Sequence, residues 1–284
     1  MTVRIITDST CDLPAKVVAE FGIQVIPLYI HVDGQDYLDG IDMTRDEFYK
    51  LLPEFKDHPR TAVPSSLKFR TMYDSLAESG ASEVLSIHIS STLSAVSDVA
   101  RSAAKETSSV PVTVLDSGQL SLGTGFLVHT AAKLAQAGKS AKEILAALED
   151  QAKRTYVSAA LDTLKFLQKS GRMNVVISTI GEIIDLKPIL KMHNGVSGVE
   201  KVRTRKKAVH RLVDMLRSYA PFEKLAILYS GSMEHVQALK DEIRDLLPDT
   251  DTWVEVINPV LGAHIGPGVI GFACVSRSLT GALK

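Results

Sequence analysis

The sequence predicts an α/β protein in two parts. A parallel sheet with helices on both faces is expected over residues 1–155, and a mixed-sheet α/β domain over residues 156–284. Three observations predict it. Short apolar runs alternate with longer helical stripes through the first half, the pattern of a parallel sheet covered on both sides. From Tyr156 onward the alternation gives way to strands grouped around Asn194-Gly195, a strong hairpin signal. A chain of 284 residues suits one large or two ordinary domains, and either can bury a core without disulfide or metal staples.

Taken in order, Val3–Ile6, Gln24–Val32, Val84–Ile89 and Val112–Leu115 read as strands. Asp33-Gly34 offers a tight hairpin turn after the second. Thr44-Arg-Asp-Glu47 and Ser140-Ala-Lys-Glu143 are capping boxes, each followed by an apolar helical stripe. Ser65–Glu78, Ala95–Lys105 and Leu122–Ala137 also read as helices. In the second half, Tyr156–Leu161, Ile189–His193, Val196–Val202, Leu225–Tyr229, Trp253–Ile257 and Val269–Val275 read as strands, and Ser178–Leu186 as a helix that stops before Pro188.

Composition narrows the function. Lys and Arg total 32 against 33 Asp and Glu, a net charge of −1, which argues against a general binder of nucleic acid or anionic membrane. Two cysteines, Cys11 and Cys274, exclude a disulfide scaffold and a Cys-rich zinc module. The eight histidines are scattered without metal-ligand spacing, so no metal and no cofactor are expected. Asp8 interrupts the N-terminus too early for a signal peptide. The longest stretch free of Asp, Glu, Lys and Arg, Val256–Ser276, holds two prolines and four glycines and is no membrane span. A cytoplasmic protein is expected.

Hydroxyls gather where strands end. Val3–Ile6 runs into Thr7-Asp8-Ser9-Thr10, Val84–Ile89 into Ser90-Ser91-Thr92-Leu93-Ser94, and Val112–Leu115 into Asp116-Ser117. Ligands of open parallel sheets sit at the carboxyl ends of the strands, although such residues also cap helices. Ser91 or Ser94 would cap the Ala95–Lys105 helix, whose first N–H groups lack intrahelical partners. No Lys or Arg lies nearby and no phosphate loop is present, so this site suits a single carboxylate better than a polyphosphate. His264, in an apolar Gly-rich loop over Gly262–Gly268, is a candidate donor to a buried anion or a structural histidine. Lys201, Arg203, Arg205, Lys206, Lys207 and Arg211 form the densest basic run, either a solvated helix face or a dock for an acidic partner.

Eight motifs in order carry a family resemblance. They are Ile6-Thr7-Asp8-Ser9-Thr10-Cys11-Asp12-Leu13-Pro14, Thr61-Ala62-Val63-Pro64-Ser65, Ile89-Ser90-Ser91-Thr92-Leu93-Ser94, Val114-Leu115-Asp116-Ser117 with Ser121, Gly123 and Gly125, Phe166-Leu167-Gln168-Lys169-Ser170-Gly171-Arg172, Leu186-Lys187-Pro188-Ile189-Leu190, Lys201-Val202-Arg203-Thr204 and His264-Ile265-Gly266-Pro267-Gly268. In these the chain resembles the DegV family, which includes the fatty-acid-binding subunits of bacterial fatty acid kinase.

The resemblance implies a two-domain fold, Rossmann-like in its first half, with a long-chain fatty acid buried between the domains. It implies that Thr61, Ser94 or Ser91, Ala95 and His264 hold the carboxylate, with the serine register open by a few residues. It also implies that the chain is no enzyme by itself: it presents the acid to a separate ATP-dependent kinase subunit, with Arg172, Lys201 and Arg203 docking that partner and at most transient membrane contact. Phe126, Leu127, Ile180, Ile183, Ile184 and Leu190 are candidate tunnel lining, though apolar residues at helical spacing are core by default. The chain departs from the family in Ala62-Val63 where Ser-Gln is usual, Ala95-Val96 where Gly-Thr is usual, and Met173 for Ile. Competing readings are a Ser/His hydrolase using Ser94 or Ser91 with His264 and Asp8, a phosphotransfer subunit related to dihydroxyacetone kinase, and a nucleic-acid regulator acting through Lys201–Arg211.

Overall fold

A computed structural model describes residues 2–173, 186–247 and 252–277. The first half alternates as expected: β1 (Val3–Asp8), α1 (Ala15–Phe21), β2 (Gln24–Ile26), β3 (Tyr29–Val32), β4 (Gln35–Leu38), α2 (Arg45–Leu51), β5 (Arg60–Ala62), α3 (Ser66–Glu78), β6 (Glu83–His88), α4 (Val96–Glu106), β7 (Val112–Asp116), α5 (Leu122–Gln136) and α6 (Ala141–Lys153). The second half holds β8 (Thr155–Ala160), α7 (Lys165–Lys169), β9 (Ile189–His193), β10 (Val196–Glu200), α8 (Arg205–Tyr219), β11 (Phe222–Tyr229), α9 (Glu234–Glu242), β12 (Trp253–Val256), α10 (Pro259–Ile265) and β13 (Ile270–Ser276).

Strands β2-β1-β6-β7 form a wholly parallel sheet. A six-stranded sheet, β10-β9-β8-β13-β11-β12, is antiparallel except for β11–β12. Both capping boxes form: Thr44 Oγ1 accepts from the Glu47 N–H at 3.2 Å and Ser140 Oγ from the Glu143 N–H at 3.3 Å, each glutamate reaching back to the cap N–H. Asp33-Gly34 and Asn194-Gly195 make their hairpins with positive φ at all four residues.

Three expectations change. Gln24–Val32 is two strands, not one. Pro27 offers no N–H to a ladder, and the chain leaves the parallel sheet after Ile26 to build a separate antiparallel sheet, β4-β3-β5. Neither Ser91 nor Ser94 caps α4, whose N-cap is Ala95 with no side-chain bond. His264 sits in the last turn of α10 rather than in a loop, because Asn258 caps and Pro259 opens that helix. The helix expected over Ser178–Leu186 falls almost wholly outside the described residues, as do Ile180, Ile183 and Ile184.

Helix α5 joins the two halves. It contacts β1 and β6 on one side and β8, β11 and β13 on the other, which is why nine of its residues are buried. The glycines of Leu120–Gly125 serve this packing: a Cβ on Gly123 would strike the Val157 side chain, and one on Gly125 the Cys11 carbonyl. Phe126 and Leu127 belong to this core, with Phe126 against Trp253 at 5.6 Å between ring centroids, and neither lines the cavity described below.

Candidate functional site: a carboxylate pocket on an apolar cavity

The carboxyl ends of β1 and β6 meet the edge strand β5 and helix α10 around a cavity of about 190 Å3. Its polar lining comprises Thr10, Thr61, Ser94, Arg172 and His264, with Ala95 beside them. The remainder is apolar, including Leu28, Ile89, Leu93, Leu120, Leu167, Leu190, Val260, Leu261 and Ile265. A second cavity of about 70 Å3 shares Leu93, Leu120, Leu190, Leu261 and Ile265 with the first and continues to Val157, Met192, Leu228 and Ile257. One end is therefore polar and the other apolar.

Thr61 Oγ1 and His264 Nε2 are 3.1 Å apart, on chain segments 203 residues distant in sequence. His264 Nδ1 is buried without a hydrogen-bond partner among the described residues. Burial, with the Arg172 and His58 charges adding to it, pushes the His264 imidazole down to about 4, so the ring is neutral at physiological pH. Ser94 and Ala95 open α4, whose first N–H groups have no carbonyl four residues back and carry partial positive charge. Arg172 is exposed at the same wall, its guanidinium donating to the Ser170 carbonyl at 2.8 Å.

Not every candidate meets there. Ser91 is exposed, and both its N–H and its hydroxyl donate to Asp116, at 3.1 and 2.5 Å. Lys201 and Arg203 are exposed between β10 and α8 and do not line the cavity. Of the lining candidates among the described residues, only Leu190 reaches it. The Ser/His/Asp arrangement is not assembled, because Asp8 is fully buried and accepts from His88 Nδ1 at 2.9 Å rather than facing His264. Burial raises the Asp8 pKa, but bonds from His88, Thr10 and Ile89 outweigh it and hold the carboxylate below its usual value. Ser86 and Tyr73 extend this network away from His88 Nε2, tying the ends of β1 and β6 together behind Thr10.

Sequence reasoning missed Arg172 as a lining residue and the α10 face. The signal for that face was present: Asn258-Pro259 starts a helix, and Val260, Leu261, His264 and Ile265 then share one side of it.

Comparisons with known proteins follow the same line. The model of the DegV family, a family of uncharacterised proteins, matches residues 2–277. A DegV domain-containing protein of Streptomyces coelicolor is 34% identical over 281 residues, covering 97% of this chain and 99% of the relative. A DegV family protein from Thermus thermophilus, solved for its fatty acid binding, superposes with a TM-score of 0.87 at 33% identity, covering 97% of this chain and all of that one. DegV of Bacillus subtilis, described as a fatty acid binding protein, gives a TM-score of 0.89 at 28% identity over 97% of this chain. Among the described residues, no helix is long and apolar enough to cross a membrane and no group of His, Cys, Asp and Glu could hold a metal ion.

Proposed function

The chain belongs to the DegV family, and from that premise we propose that it binds a long-chain fatty acid between residues 1–155 and 156–284 and presents the carboxyl group to a separate ATP-dependent kinase that forms the acyl phosphate. One observation carries this reading: hydroxyls, a neutral imidazole and a helix start share one end of a cavity that is otherwise apolar and adjoins a second apolar cavity. The fatty acid binding described for the relatives from Thermus thermophilus and Bacillus subtilis supports it.

The chemistry is consistent at each end. Every buried methylene contributes about 0.8 kcal/mol, so the acyl chain supplies most of the affinity. The carboxylate must be hydrogen-bonded to be buried at all. His264 Nε2–H donating to Thr61 Oγ1 frees the Thr61 hydroxyl hydrogen for the ligand, and the Ser94 hydroxyl and the N–H groups opening α4 supply further donors. Because His264 is neutral, and the one cationic lining side chain among the described residues, Arg172, is solvent-exposed and already donates to the Ser170 carbonyl, the carboxylate is held without a buried, tight ion pair and keeps its nucleophilicity for phosphoryl transfer. Arg172 at the wall, with Lys201 and Arg203, forms the surface on which the kinase docks.

The test is a pair of assays on the same variants. His264→Ala weakens fatty acid binding about tenfold or more in a calorimetric titration, because the Thr61 hydroxyl loses the partner that turns its hydrogen toward the charged carboxylate. Arg172→Ala and Arg203→Ala retain the lipid but slow acyl phosphate formation with the cognate kinase. Unchanged affinity in the first assay, or unchanged kinase rate in the second, contradicts the corresponding assignment.

A further inference from the structure

A cleft of about 780 Å3 lies apart from the acyl cavity and shares none of its lining residues. The carboxyl ends of four strands open on to it: Ser9 follows β1, Pro27 follows β2, and Tyr229 and Val256 end β11 and β12. Parallel strands place ligands at such ends. Asp39, on its wall, is only 5% exposed, and its Oδ2 has no hydrogen-bond partner among the described residues. A buried carboxylate oxygen left unpaired is costly, so this one favours a ligand that can donate to it.

The charge around it says which donor fits. Asp39, Asp46 and Glu255 line the cleft, with Arg45 as the one basic lining residue among the described residues. Arg45 is already committed, 3.3 Å from Asp12, 3.7 Å from Glu255 and bonded to the Val256 carbonyl. Burial pushes the Asp39 carboxyl up to about 7, against the pull of Ser9 and Arg45 and with Asp12 and Asp8 adding to the rise. Burial also raises Glu255. A second positive charge would relieve both groups. Leu13, Val18 and Val254 supply an apolar wall.

We propose that this cleft binds a small organic cation, a protonated primary amine on a short apolar chain, whose ammonium donates to Asp39 with Glu255 adding attraction. The test is a titration of the fatty-acid-loaded protein with n-butylammonium chloride, followed by backbone amide shifts, with n-butanol as the uncharged control. Saturable shifts at Gly40, Ile41 and Val254 are expected, at about millimolar affinity for a fragment of this size. Asp39→Asn and Glu255→Gln should each weaken binding about tenfold or more. Glu255 is part-exposed, so its variant stays informative if Asp39→Asn fails to fold. No saturable shift in the cleft, equal binding of butanol, or shifts confined to Leu190 and His264 would overturn the proposal.

Discussion

Asp12 accepts hydrogen bonds from both the backbone N–H and the side-chain amide of Asn258, 246 residues further along the chain, each at 3.0 Å. The Asp12 carboxylate is fully buried, takes the Ser121 hydroxyl at 2.5 Å and lies 3.3 Å from Arg45. Asn258 in turn caps α10, its Oδ1 accepting from the Leu261 N–H at 2.9 Å. The helix that carries His264 is thus hung from the first half of the chain, and the pairing of His264 with Thr61 depends on that suspension.

Asp12→Ala should therefore destabilise the fold by about 3 kcal/mol, because it strips a buried ionic and hydrogen-bonded cluster of its centre. Urea unfolding reads this directly. A loss below about 1 kcal/mol would mean that the cluster contributes no more than a surface ion pair.

Gly125→Ala tests the packing of α5 between the sheets. The new methyl would meet the Cys11 carbonyl oxygen, which belongs to the turn after β1 and cannot swing aside like a side chain. Overpacking of this kind costs about 1–3 kcal/mol, and calorimetry should show a lowered Tm with the fold retained.

The neutrality of His264 has a pH signature. Its folded value, about 4, lies below the ordinary 6.5. Between those values the unfolded chain binds a proton that the folded chain refuses, so this group's contribution to stability is complete above 6.5 and falls as pH drops toward 4. A nuclear magnetic resonance titration of the imidazole should give a midpoint well below 6, and removing the ring with His264→Gln should flatten the acid limb of the stability profile. A midpoint near 6.5 would contradict the buried setting.

The serine register is decided by two substitutions. Ser94 lines the cavity, whereas Ser91 is spent on Asp116. Ser94→Ala and Thr61→Val should each weaken fatty acid binding about tenfold, and Ser91→Ala should leave it within about twofold. The reverse order would move the head group away from the cavity end at Ser94 toward Ser91 and Asp116.

Local chemistry was legible wherever it was self-contained. The hairpins at Asp33-Gly34 and Asn194-Gly195 and the capping boxes at Thr44 and Ser140 need only neighbouring residues, and all four form. Gln24–Val32 misled because Pro27 interrupts an apolar run whose two parts join different sheets, a choice made by distant partners. The Asp8–His88 and Asp12–Asn258 pairs lie 80 and 246 residues apart in sequence, and no periodicity announces them. Ser94 and His264 were legible singly, as a helix start and a histidine in a Gly-rich stretch, but Thr61 and the meeting of all three were read through family likeness; spacing alone does not bring β5, α4 and α10 together. Arg172 was read only as a docking residue, because its place on the cavity wall follows from how α7 packs on α10.

The most direct measurement is native mass spectrometry of the purified protein, followed by denaturing lipid extraction. The proposed function predicts one bound long-chain monocarboxylic acid per chain, released on denaturation and lost from a Thr61→Val, His264→Ala double variant. A protein that arrives empty and takes up no added fatty acid would contradict it.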